Sequence, residues 1–285
     1  YISMDFELNE EQKLIKEAAS NFANQVLLPT ILERDETQTF PTQEIKQLAE
    51  LGFMGMMVNP IYGGSGLDTL SYVLAMEELS KIDAAASVVM SVNNSLVCWG
   101  LEKYGSSQQK EKYLPNLCNG EKIGAFCLSE PEAGSDATSQ KTMAVKKGDY
   151  YEITGTKNWI TNGSSASIYL VIAQTDPKKG YKGISVFIVE KDSPGFVIGP
   201  KENKLGIRSS DTHSLQFNAV KVPVENRIGA EGFGFTFAMK TLSGGRIGIA
   251  AQALGIAAGA YELALNYAKQ REAFGKPISQ HQAIA

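Results

Sequence analysis

The sequence predicts an α+β multidomain protein. An all-helical N-terminal domain is expected over 4–120, a middle antiparallel β-barrel or sandwich over 121–230, and the beginning of a C-terminal helical bundle over 231–285. Three observations predict it. Apolar residues recur at helical spacing up to about residue 120. From Ile123 to about Val224 the texture turns into short β-rich runs bounded by turn residues. After Gly229 a helical pattern returns, crowded with glycine and alanine. No ten-residue helical stripes separate the β-rich runs, so antiparallel pairing is expected rather than a parallel βαβ sheet.

The elements follow in order. Leu14, Ile15, Ala18, Ala19, Phe22, Ala23 and Val26 form one helical stripe between Asn9 and about Ile31, and Asn9 and Gln12 have capping-box spacing. Pro41 opens a helix through Ile45, Leu48 and Leu51, with Gly52 at its C-cap. Asn59 to Gly66 holds a proline and three glycines and reads as a loop. Helices are expected over 68–82, 84–104 and 106–117. Strands are expected over 123–128, 150–154, 168–173, 184–189 and 214–217, with turns at Gly148-Asp149, Asn162-Gly163, Pro177 to Gly180 and Ser193 to Gly195. The segment from Gly232 to Arg271 would make a helix of about 60 Å at ~1.5 Å per residue unless its glycines break it. So long a helix, lined with small residues, must pack on something further. The pattern at Gln280-His281-Gln282 reads as the opening of another helix, so a C-terminal region beyond Ala285 or a partner chain is expected. Tyr1, Ile2 and Ser3, ahead of Met4, are read as appended residues outside the fold.

Composition narrows the function. In 285 residues, 43% hydrophobic content against 20% charged supports a sizeable core. A formal charge of −4 and no basic block beyond Lys178, Lys179 and Lys182 leave no phosphate-backbone footprint, so no nucleic acid is expected. Cys98, Cys118 and Cys127 form no CxxC pair, and their odd number points away from a disulfide framework and toward a reducing compartment. Two histidines, His213 and His281, are too few for a zinc site, and no metal is expected. No G-x-S-x-G elbow, dinucleotide fingerprint or P-loop occurs. Without an uninterrupted run of 18 apolar residues or a signal pattern, the expected location is cytoplasmic.

Four segments could carry chemistry. Cys127 to Asp136 offers the hydroxyls of Ser129 and Ser135 and exposed backbone N–H groups near Gly134, which can cradle a polar ring or a phosphate. Its bland reading is an acidic turn with an Asx cap. Lys157 to Gly163 sets Trp159 beside the Thr161 hydroxyl, and Trp159 could equally be core filler. Thr241 to Gly248 places Arg246 among glycines in an apolar helix, where it needs an anion, a carboxylate partner or a rim position. Gln270 to Ile278 ends a helix just after Arg271, where an arginine suits the helix dipole in any case.

Together these segments resemble the acyl-CoA dehydrogenase family. Cys127 to Asp136 followed by Ser139 is similar to its flavin-site signature, and Trp159-Ile160-Thr161, Gly244-Gly245-Arg246 and Arg271 to Gly275 to its later motifs. Tyr62 to Gly66 and Lys204 to Arg208 agree too, so six motifs stand in register from about Asp5 to Ala285. Met90 to Leu96 and Gly245 to Ala250 resemble the short-chain, butyryl-CoA type.

The resemblance implies a helical, a β-barrel-like and a second helical domain, usually assembled as a homotetramer. It implies FAD-dependent α,β-dehydrogenation of a short-chain acyl-CoA to the trans-2-enoyl-CoA, with electrons passed to an electron-transfer flavoprotein. By resemblance, Phe126, Leu128, Ser129, Gly134 and Ser135 line the flavin and the CoA chain, Ser135 serving both. Trp159 and Thr161 would flank the isoalloxazine. Arg271, Phe274 and Gln282 would reach the FAD of a neighbouring subunit, and Ser243 and Arg246 the acyl-CoA. Many relatives carry aspartate where Ser243 stands. The family's glutamate base lies either downstream of Ala285 or, in a minority, at the position of Gly245, so no catalytic base is named among these residues. A branched short-chain substrate and a non-catalytic flavin or acyl-CoA binding protein are the alternatives. A glutaryl-type substrate would want a cation near the acyl tail, where Asn93 and Asn94 are expected instead.

Overall fold

The computed structural model describes residues 6–285; the reading of Tyr1 to Ser3, and the start of the first domain at Met4, fall outside the described residues. The N-terminal half is helical, as expected. α1 (Glu10–Phe22) begins on the anticipated capping box: the Asn9 side chain accepts from the Gln12 N–H at 2.8 Å and the Gln12 side chain from the Asn9 N–H at 3.1 Å. It runs on through a π-helical turn, Ala23–Leu27. A separate α2 (Ile31–Thr37), which the periodicity does not announce, precedes α3 (Thr42–Glu50). α3 closes with Gly52 at φ +77°, the left-handed conformation that favours glycine.

α4 (Thr69–Ile82) is capped by Asp68, whose carboxylate accepts the Ser71 N–H at 2.7 Å. The helix expected over 84–104 is continuous but not uniform: α5 (Ala84–Ser91), a π-helical turn (Val92–Cys98) and α6 (Trp99–Tyr104) follow one another. α7 (Ser107–Cys118) starts on a second capping box, Ser106 with Gln109.

The middle region holds β1 (Gly124–Cys127), β2 (Met143–Lys147), β3 (Tyr150–Thr161), β4 (Ile168–Gln174), β5 (Ile184–Glu190), β6 (Phe196–Lys201), β7 (Thr212–Pro223) and β8 (Arg227–Ile228). Among the described residues they form one sheet in the order β6-β7-β3-β2-β4-β5-β8, with β1 also on β4. Most pairs are antiparallel, as anticipated, but β1 and β2 both meet β4 in parallel. No helix makes that crossover; the strands between them do. β4 is buried along its whole length, because Ile168, Leu170 and Ile172 enter the core shared with the helices while Tyr169, Val171 and Ala173 enter the core of the sheet.

α8 (Gly234–Gln270) then runs unbroken for 37 residues despite its glycines. Gly255 and Gly259 face α4: a Cβ on Gly255 would overlap the Glu77 carbonyl, and one on Gly259 the Lys81 carbonyl. Small residues are therefore what lets α8 lie on α4. Gly259→Val is expected to destabilise the fold by about 1–3 kcal/mol through overpacking, read by urea denaturation.

By length and composition, 84–104 and α8 could each cross a bilayer. The first is a core helix, with 78% of its apolar window buried, whereas only 28% of the α8 window is buried. Leu254, Tyr261, Leu263 and Tyr267 stand exposed on that helix. A two-strand hairpin, β9 (Glu272–Ala273) with β10 (Lys276–Pro277), and a 3-10 turn, Ile278–Gln280, follow. Where the opening of a further helix is expected, a turn starts at His281, whose carbonyl accepts the N–H groups of Ile284 at 2.8 Å and Ala285 at 3.0 Å, while its Nε2 lies 3.0 Å from the Ala273 carbonyl oxygen.

Candidate functional site

Two of the four segments meet in space. The Asn158 N–H donates to the Ser129 carbonyl at 2.8 Å, which brings the stretch after β1 against the second half of β3. Beneath them lies a buried ion pair. Lys157, fully buried, donates to Glu130 Oε1 at 2.7 Å, to the Leu128 carbonyl at 2.9 Å and to Gln140 Oε1 at 3.3 Å. Glu130 also accepts the backbone N–H groups of Lys141 at 2.6 Å and Thr142 at 3.1 Å. Burial pushes the Glu130 carboxyl up, but the Lys157 ammonium and these hydrogen bonds outweigh it and hold the group below its ordinary range. The Asx cap is present too: Asp136 accepts from the Thr138 hydroxyl at 2.6 Å and from the Ser139 hydroxyl, bonds that lower its own pKa.

Above this base the surface is open. Gly134 and Ser135 are exposed and Ser129 half-buried, and a Cβ on Gly134 would meet nothing within 4 Å. The hydroxyls of Ser129, Ser135 and Thr161 have no hydrogen-bond partner among the described residues. Trp159 is not core filler. It is 61% exposed, at φ +59° where the β3–β7 register slips between Lys157 and Ile160. That left-handed backbone costs an L-residue roughly 1–2 kcal/mol, and here it turns a bare indole outward.

An apolar cavity of about 320 Å³ lies beside α8, lined by Ser91, Val92, Ser95, Leu96, Leu242, Gly245, Arg246 and Ile249. Gly245 makes the space, since a Cβ there would sit 2.7 Å from Leu96 Cδ2. Tyr72 reaches its floor, donating to the Ser91 hydroxyl at 3.0 Å, and burial raises the phenol's pKa. Phe126 stacks on Phe237 of α8 with ring centroids 6.5 Å apart. Phe126, Leu96 and Leu242 pack against the same hydrophobic core, although no β1 residue lines the cavity itself. Arg246 takes the rim position: it is exposed, has no ion pair among the described residues, and donates to the Ser243 hydroxyl at 3.3 Å.

Asn93 and Asn94 do not line this cavity. Both are buried and turned to the backbone of neighbouring segments, Asn93 donating to the carbonyls of Met54 and Leu117 and Asn94 to those of Phe53 and Met90. A larger cavity, about 460 Å³, opens beside Lys112, Glu190 and Lys221 and contains none of the candidate residues.

Arg271, Phe274 and Gln282 stand apart. At ~1.5 Å per residue, Arg271 lies about 37 Å along α8 from Arg246. Phe274 is 97% exposed at the tip of the hairpin, with φ +54°. Among the described residues, no hydrogen bond or ring contact joins the three to the Ser129–Trp159 surface.

Three family models match the chain: "Acyl-CoA dehydrogenase, N-terminal domain" over residues 9–121, "middle domain" over 125–220 and "C-terminal domain" over 232–285. The short-chain specific acyl-CoA dehydrogenase of Clostridium acetobutylicum is 49% identical over 282 residues, covering 99% of this chain and 74% of that protein. The solved butyryl-CoA dehydrogenase of Megasphaera elsdenii superposes with a TM-score of 0.96 at 48% identity, over 99% of this chain and 74% of that one. A chain solved in work on the electron transferring flavoprotein of Acidaminococcus fermentans and flavin-based electron bifurcation gives 0.97 at 49% identity, with the same coverage.

Proposed function

We propose that this chain, which belongs to the acyl-CoA dehydrogenase family, dehydrogenates short-chain acyl-CoA thioesters of the butyryl type to the trans-2-enoyl-CoA. It is an FAD-dependent oxidoreductase that passes its electrons to an electron-transfer flavoprotein and works as a homo-oligomer. The tetramer and a cytoplasmic location are our finer readings, the first supported by the exposed apolar residues of α8 and the second by the bacterial relatives.

The residues present fit the flavin. An exposed indole, three hydroxyls without partners and an open glycine backbone make a set of stacking and hydrogen-bonding groups that nothing among the described residues uses. Bound FAD supplies the acceptor for the hydride that leaves the β-carbon. Trp159 and Thr161 are assigned to the flanks of its ring, and Phe126, Leu128, Ser129, Gly134 and Ser135 to the floor it shares with the CoA chain. The observation that carries the short-chain reading is the apolar cavity: its walls, Val92, Leu96, Leu242 and Ile249, give an acyl tail a dry seat against α8. We assign Ser243 and Arg246, at the rim, to the polar part of the thioester. No carboxylate lines the cavity, so the group that takes the α-proton is left unassigned.

The test is an anaerobic visible spectrum of the purified flavoprotein before and after butyryl-CoA. Bleaching of the flavin band is the expected result. Binding without bleaching would favour the non-catalytic alternative. We assign Arg271, Phe274 and Gln282 to the FAD of a neighbouring subunit, which the exposure of all three supports. Arg271→Ala is accordingly expected to lower retained FAD at least tenfold while leaving the melting temperature of the apoprotein within about 2 °C, since the side chain is exposed. Unchanged flavin content would remove the assignment.

A further inference from the structure

We propose that Asn162, together with Asn93, positions the flavin-facing surface by clamping Gly124, so that the gap between the Phe126–Ser129 and Trp159–Thr161 segments has a fixed width. The proposal rests on the flavin reading above for its effect on the cofactor, but the clamp itself is visible in the chain.

β3 passes two partners in turn. Its first part pairs with β2, from Thr154 opposite Met143 to Tyr150 opposite Lys147, and its last part runs past β1. There the two strands run in opposite directions without a regular ladder. Their separation is set at the two ends. At one, the Asn158 N–H donates to the Ser129 carbonyl at 2.8 Å; at the other, the Asn162 side-chain amide donates to the Gly124 carbonyl at 3.1 Å. Asn93 holds the opposite side of the same residue, its Oδ1 accepting the Gly124 N–H at 3.0 Å. Both asparagines are fully buried, and Asn93 is itself anchored at the carbonyls of Met54 and Leu117.

Gly124 cannot shift to compensate. A Cβ there would sit 2.5 Å from Val97 Cγ1, so its backbone is pressed against the π-helical turn. Asn162 is equally constrained: φ is +62°, its N–H donates to the Asp211 carbonyl at 2.9 Å, and its carbonyl accepts from Ala166 at 2.8 Å. Its Oδ1 is buried without a partner, so the amide is retained for the one bond that its nitrogen makes to Gly124. All the flavin-facing side chains assigned on these two strands, Phe126, Leu128, Ser129, Trp159 and Thr161, lie between or at the bracketing bonds. A side-chain amide in place of a ladder bond keeps the strands apart yet in register. That leaves backbone and side chains of the interval free to face a planar ring.

The discriminating variant is Asn162→Gly, which keeps the left-handed backbone and both main-chain bonds and deletes only the amide. Three readouts are compared with the wild type: hydrogen exchange of residues 124–129 in the apoprotein, the Kd for FAD, and kcat against KM for butyryl-CoA. Exchange across 124–129 is expected to accelerate at least tenfold and the FAD Kd to rise at least tenfold. kcat should fall further than KM rises, because the walls of the acyl cavity, Val92, Leu96, Leu242 and Ile249, lie on the π-helical turn and α8 and none on β1. Should Asn162→Gly fail to fold, Asn162→Asp, of the same size but without the donor, carries the same comparison. Unchanged exchange would overturn the clamp. Faster exchange with an FAD Kd within twofold of wild type would overturn its positioning role. A wild-type protein that takes up no FAD would instead overturn the flavin reading, and the exchange experiment alone would then decide the clamp.

Discussion

Lys157→Met is expected to destabilise the protein by about 3–5 kcal/mol in urea denaturation, because it leaves a buried carboxylate without its counter-charge. The Lys157 side chain is fully buried and that of Glu130 3% exposed, with 2.7 Å between ammonium and carboxylate. The Leu128 carbonyl and Gln140 Oε1 lose their donor as well. Adding Glu130→Gln should recover part of the loss, since the worst consequence is the unpaired charge rather than the missing attraction. Acid provides an independent check. The folded protein holds the Glu130 carboxyl below its ordinary value of 4.5, so the stability it contributes is complete above that value and is lost as pH falls through the lower folded one. The gap between wild type and Lys157→Met should therefore close under acid. If it were constant from pH 7 down to pH 3, the pair would not be the source.

That ion pair also shows where sequence reasoning runs short. Local signals were readable: the Asn9/Gln12 and Ser106/Gln109 capping boxes are both formed, and each is spelled in the sequence as a capping residue three positions before a glutamine. β4 and β5 announce themselves as continuous apolar runs because they are buried on both faces. β2 and β6 do not, since Lys146, Lys147 and the exposed Val145 break the alternation in one, and Gly199-Pro200 in the other. α2 escapes for a similar reason: its charged run, Glu33 to Glu36, conceals that Arg34 points inward.

The site was legible as an ordered set of motifs, but not as a surface. That Ser129 meets Asn158, that Lys157 neutralises Glu130, and that Asn162 grips Gly124 are contacts across 27 or more positions, which no local pattern encodes. Asn93 and Asn94 illustrate the converse error. Two amides in an apolar helix invite a ligand, whereas here they satisfy backbone groups left bare by the turn at Phe53–Gly55 and by the end of α7.

Arg34→Met is expected to cost a comparable 3–5 kcal/mol, for a reason that reaches the substrate cavity. Arg34, 5% exposed, donates from Nη1 to Asp83 Oδ2 at 2.7 Å, from Nη2 to the Leu27 carbonyl at 3.1 Å and from Nε to the Thr30 hydroxyl at 3.0 Å, with Glu44 Oε1 3.3 Å away. Asp83 is fully buried and has a second duty: its Oδ1 accepts the N–H groups of Ala85 and Ala86 and so starts α5. α5 leads directly into Val92–Cys98, whose Val92, Ser95 and Leu96 wall the acyl cavity. Removing the guanidinium thus leaves the cap of α5 as an unpaired buried carboxylate, and the helix start has to rearrange. Arg34→Lys should rescue little, because one ammonium cannot replace three nitrogens directed at partners in different segments. The same short helix holds the loop after β6, through the Arg208 N–H on Asp35 at 2.9 Å and Lys201 on the Gln38 carbonyl at 2.5 Å. Loss of Arg34 is therefore expected to lower the urea midpoint and, at urea concentrations where the variant is still folded, to weaken butyryl-CoA binding. A variant that loses stability but binds butyryl-CoA as the wild type does would show that α5 keeps its start without the pair.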